Sequence, residues 1–138
     1  MANNMDTFNS LKNRDRSFLI AYCKKLYNQL EKILESTMGS AGGFFTTIRI
    51  TCAMIASDGN ISRDEYNAFV EFSQSSCSYD EFYETACGVS KDFFGAIDEI
   101  RAQSADAVGA TYALAMGIFA LKGYMSQYEN NFIEYLVR

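Results

Sequence analysis

Asp58, Asn60, Ser62 and Asp64 place oxygen-bearing side chains at every second position, and Glu65 follows directly. Hard cations such as Ca²⁺ and Mg²⁺ are held by oxygen ligands of this kind. An EF-hand would need glycine at its sixth position and glutamate at its twelfth. Counted from Asp58 those places hold Arg63 and Phe69, so the run is not an EF-hand. Two readings stay open: a looser carboxylate site of Asp58, Asp64, Glu65 and Glu129, or a solvated acidic corner. In the second reading Asp58 does no more than accept amides from the turn near Ile61 and Ser62.

Other chemistry is narrowed by what the chain lacks. It contains no histidine, which removes the commonest general base and the commonest nitrogen ligand for a metal. The four cysteines, Cys23, Cys52, Cys77 and Cys87, include no closely spaced pair and lie in apolar or helical surroundings. They read as reduced, mostly buried thiols, neither a zinc site nor a disulfide frame. The glycines at 39, 42 and 43 lack the Gly-Lys-Ser/Thr ending of a phosphate loop and read as a helix connection. Paired carboxylates such as Asp98 and Glu99, or Asp80, Glu81 and Glu84, read as helix-surface charge. No catalytic residue or enzyme activity is expected.

These side chains need a scaffold, and its class is legible. There is no proline, 49% of the residues are hydrophobic, and apolar residues recur at three and four spacing; an all-α single domain over residues 1–138 follows. A helical bundle of about seven helices is expected. The first spans about 14–38, with Phe18, Leu19, Tyr22, Leu26, Leu30, Ile33 and Leu34 on one stripe and Gly39 as its stop. A helix from Phe44 to Ser57 follows. Further helices start after Ser62, Ser78, Ser90, Ser104 and Ser126, with Ser78 and Glu81 spaced as a capping box. Residues 1–13 read as a polar lead-in without a signal segment, which points to the cytoplasm.

Charge bears on partners. Twelve basic residues face seventeen acidic ones, a net charge of −5, and such a body disfavours nucleic acid. The longest uncharged run, between Asp106 and Lys122, is too short to be expected to cross a bilayer; Gly109 and Gly117 within it suit close helix packing. A protein partner or a second copy of the chain is the expected ligand. Phe72, Tyr79 and Tyr83, near Glu71, Glu81 and Glu84, could form an exposed acidic-aromatic patch for it.

Within this scaffold the chain repeats itself. At an offset of 64, residues 48–70 align with 112–134 without a gap: Ala56 with Ala120, Gly59 with Gly123, Ser62 with Ser126, Glu65 with Glu129 and Asn67 with Asn131. Both stretches read as apolar helix, glycine turn, capping serine and glutamate, then a new helix, giving two pseudo-symmetric helix-loop-helix repeats over about 44–73 and 105–137. Asp58 and Lys122 are matched by the same offset but opposite in charge. A cation suits a helix C-terminus and an anion does not, so Asp58 breaks a local rule that Lys122 obeys. Rule-breaking positions are where a function or a compensating partner is sought.

The run from Ala53 to Glu65, with its Asp58-Gly59, Ser62 and Glu65, resembles the signature of TerB-like domains, named for bacterial tellurite resistance. The stretch from Ala120 to Glu129 resembles the second half of that signature. The resemblance implies a compact pseudo-twofold helical domain in a bacterial stress setting, without catalysis. It also implies either divalent-cation binding through acidic residues, here Asp58, Glu65 and Glu129, or an assembly role. Lys122 stands where the family has an aspartate, which counts against two symmetric metal sites.

Overall fold

The computed structural model describes residues 4–138, and side chains from Asp6 onward apart from that of Ser90. Seven helices are present among them: α1 (Asn4–Lys12), α2 (Arg16–Ala56), α3 (Arg63–Ser73), α4 (Tyr79–Ser90), α5 (Phe93–Arg101), α6 (Ala105–Lys122) and α7 (Gln127–Val137). No strand occurs among the described residues.

The long helix α2 is two helices joined at Gly39, which leaves helical geometry at φ 82° and ψ 168°. Glycine reaches that region at little cost, so the expected stop at Gly39 is a kink and helix continues beyond it. Gly43 allows the two arms to pack: a Cβ there would lie 2.6 Å from the backbone nitrogen of Glu35. The buried stripe of the first arm is Leu19, Cys23, Tyr27, Leu30 and Leu34. Phe18, expected on it, is exposed and stacks on Tyr22 instead.

α6 packs most extensively along α2 and is further covered by α1, α5 and α7. It is apolar on every side, the pattern of a helix enclosed by protein. By length and composition it is also the one helix among the described residues that could span a bilayer, though 56% of it is buried within this fold. Gly117 brings it against α2, since a Cβ there would meet Tyr22 and Cys23 at 2.7–2.8 Å. Gly109 has open space around it and plays no such part.

Two sequence expectations are corrected. The lead-in forms α1, because Phe8 and Leu11 share one helical face and bury against the core. Ser90 closes α4 and does not open α5; the N-cap of α5 is Asp92, whose carboxylate accepts the Gly95 amide at 3.1 Å. Ser104 caps α6 as expected, accepting the Ala107 amide at 3.0 Å.

Candidate functional site

The two glycine turns form two elbows that share one backbone bond and a positive φ, although the Gly123 amide also donates to the Phe119 carbonyl and α6 runs two residues further toward its glycine than α2 does. In the first, the Gly59 amide donates to the Ala56 carbonyl at 2.9 Å, with φ of 77° at the glycine. In the second, Gly123 donates to Ala120 at 3.1 Å, with φ of 94°. Each elbow then opens a helix through a full capping box. The Ser62 hydroxyl accepts from the Glu65 amide and Glu65 Oε1 accepts from the Ser62 amide. Ser126 and Glu129 do the same, with Glu129 Oε1 accepting at 2.7 Å. Helix starts leave amides without internal partners, and these boxes satisfy them.

Lys122 ties the elbows together. Its ammonium donates to Asp58 Oδ2 at 2.6 Å and to Glu129 Oε2. All three side chains are withdrawn from solvent, with exposures of 15% for Lys122, 8% for Asp58 and 2% for Glu129. A buried charge is tolerated when it is both paired and hydrogen-bonded. Both anions meet that condition, since Asp58 Oδ1 also accepts the Asn60 amide at 2.9 Å and Glu129 holds the Ser126 amide. Burial pulls the Lys122 ammonium down, but its bonds to Asp58 and Glu129 outweigh this and hold it above the ordinary lysine range. The charge at Asp58 that breaks the helix-end rule thus has its compensating partner in Lys122.

Glu65 lies beside this network. Burial, reinforced by the charge of Asp58, pushes it up to about 7 against the pull of the Ser62 amide and of Lys122. Next to it a cleft of about 590 Å³ opens between the first elbow and α6. Ile55, Phe72, Ile118 and Leu121 supply its apolar lining, and Arg16, Asp64, Glu65, Lys122 and Tyr124 its polar and aromatic lining. Arg16 is engaged by Glu71 at the surface.

Comparison with protein-family models, with curated proteins and with solved structures returns no match. The chemistry of the site therefore rests on its own geometry.

The four carboxylates expected to hold a cation do not aim at one point. Asp58 and Glu129 are brought together, but on Lys122; Glu65 is adjacent, with one oxygen on the Ser62 amide; Asp64 is exposed on the rim of the cleft. Among the described residues no group of three or more cysteine, aspartate or glutamate side chains is arranged to hold a metal ion. The three aromatics expected to form a partner patch differ in exposure. Phe72 is 1% exposed and packs edge-on against Tyr27 and Phe69 in the core. Tyr79 is half-buried under the Arg63 guanidinium, 4.3 Å away. Only Tyr83 of the three is exposed.

Lys122, Arg16 and Tyr124 are site residues that spacing alone did not single out. Lys122 had a signal, its match to Asp58 at the offset of 64; Arg16 and Tyr124 had none. Burial pushes Cys23 and Cys52 up to about 12, far from the lowered range that makes a thiol a nucleophile.

Proposed function

We propose that this chain is a non-enzymatic, TerB-like binding or scaffold module of the bacterial cytoplasm, of the stress or tellurite-resistance kind, whose paired elbows are held by an internal ammonium in place of a metal ion. The observation that carries this reading is Lys122 bridging Asp58 on one elbow and Glu129 on the other, residues 64 and seven positions away from it in the chain. A lysine in that place neutralises the carboxylates that a divalent cation would need, and its stem cannot leave. Two of the four thiols, Cys23 and Cys52, are buried with their pKa pushed up to about 12, and histidine is lacking altogether. What is left is a helical body with an accessible cleft beside the elbows, which suits recognition of a protein partner.

The experiment is a titration of amide NMR spectra with Ca²⁺, Mg²⁺ and Mn²⁺ for the wild type and Lys122→Ala. The wild type is expected to show no saturable shifts from Asp58 to Glu65 or near Glu129. The variant exposes carboxylates to solvent ions and is expected to gain such shifts at millimolar cation. Saturable binding by the wild type at these residues would overturn the internal-ammonium reading and restore a cation site.

A further inference from the structure

The cleft beside the elbows carries a charge pattern that the Lys122 bridge leaves over. Both of its cations are already matched, Lys122 by Asp58 and Glu129, and Arg16 by Glu71. Its two lining carboxylates have no ammonium or guanidinium bonded to them, only the longer-range attraction of Asp64 toward Arg16 and of Glu65 toward Lys122. Asp64 is exposed and forms no salt bridge among the described residues. Glu65 uses Oε1 for the Ser62 amide, and no described residue donates to its Oε2. The charge of Glu65 is not needed by the helix it starts, because glutamine completes a capping box equally well.

Between these carboxylates and α6 the lining is aliphatic, from Ile55, Ile118 and Leu121. Tyr124 stands at the lip, 55% exposed, its ring already 4.6 Å from the ammonium of Lys122. An apolar channel with the Asp64 and Glu65 carboxyl groups on one side and an aromatic ring on the other matches an ammonium on an aliphatic stem, whose arrival would favour the ionised form of Glu65. The planar fork of arginine fits less well, since it pairs best with both oxygens of one carboxylate and Glu65 has one to offer. A protein segment is favoured over a free amine because the same elbow also exposes Tyr128, at 63%. Exposed tyrosines are characteristic of protein interfaces, and the net charge of −5 draws basic partners toward this body.

We propose that the cleft between the first elbow and α6 docks a lysine side chain of a partner protein, with the stem along Ile118 and Leu121 and the ammonium taken by Asp64 and Glu65. This rests on the reading of the chain as a binding module, and it names the chemistry of the partner.

The test is an amide NMR titration with a blocked Ala-Lys-Ala-Lys-Ala peptide, its lysine-acetylated counterpart and spermidine, at physiological ionic strength. The lysine peptide is expected to give saturable shifts at Asn60, Asp64, Glu65, Asn67 and Tyr124, and the acetylated peptide none. Glu65→Gln, which keeps the capping box, is expected to weaken binding about fivefold to tenfold, and Tyr124→Ala about threefold. Glu99→Gln, on a distant helix, should change nothing. Equal binding by the acetylated peptide, or by Glu65→Gln, would overturn the site. Spermidine binding the cleft more tightly than the peptide would overturn the assignment to a protein partner. Shifts confined to another face would remove this cleft and leave the module reading standing, whereas covalent turnover of a bound probe would remove the module reading itself.

Discussion

Replacing Lys122 by methionine keeps most of the stem's volume and removes the ammonium. Asp58 and Glu129, 8% and 2% exposed, then face each other and the half-protonated Glu65 without a cation. Removing one partner of a buried ion pair typically costs ~3–5 kcal/mol, because the remaining charge stays desolvated. The lower end applies here, since both anions keep a backbone amide, from Asn60 and Ser126. A loss of about 3 kcal/mol follows, which for a domain of this size lowers the midpoint of thermal unfolding by roughly 12 °C.

Urea denaturation of four proteins isolates the bridge: wild type, Lys122→Met, Glu129→Gln and the double variant. Glutamine keeps the capping box at Ser126, so the cycle reads the ion pair and not the helix start. A coupling of ~1–3 kcal/mol between the two positions is expected. A loss under about 1 kcal/mol with no coupling would refute the bridge as a structural element.

Further tests address neighbouring features. The folded protein holds the Glu65 proton up to about pH 7, against an ordinary value of 4.5. This group therefore favours folding fully below the ordinary value, and the contribution is lost as pH rises through 7. Glu65→Gln should raise stability at pH 8 by about 1–3 kcal/mol with the gain fading toward pH 5, as followed by urea midpoints across pH; an unchanged profile would contradict the burial argument. Gly43→Ala drives a methyl into the Glu35 backbone and should cost about 1–3 kcal/mol in the same assay; a neutral result would mean the two arms of α2 are not in close contact. Cys23 and Cys52, buried with thiols pushed to about 12, should react with iodoacetamide only after unfolding, and mass spectrometry of peptides from the native protein checks this.

Local rules carried much of the architecture. Capping serines at 62, 104 and 126 and the box at Ser78 and Glu81 are written in a few adjacent residues and have the expected local geometry, whereas Gly39 bends one long helix where a stop was expected. The failures are also local. Two apolar residues, Phe8 and Leu11, were too few to signal α1, whose burial comes from α6 far along the chain. Phe72 and Phe18 each lie in amphipathic stretches, and spacing does not decide which of two flanking faces a neighbouring helix will cover.

The site was half legible for the same reason. Its acidic members stand in one motif, and the helix-end anomaly at Asp58 is met in the fold by both Lys122 and the Asn60 amide. That the partner is the residue paired with it by the internal offset is a fact of tertiary approach, which no one-dimensional pattern contains. The cleft depends on α2, α3 and α6 meeting, and its lip residue Tyr124 had no periodicity to announce it.

The sheathing of α6 has a bearing on how this chain behaves away from its native state. Eighteen consecutive residues without a polar face are harmless only while α2 stays docked on them. Any opening that peels α2 away uncovers a rod with the dimensions of a bilayer-seeking segment. The tight seat at Gly117, where the backbone of α6 comes against Tyr22 and Cys23, is therefore a safeguard for the cell as much as a packing detail.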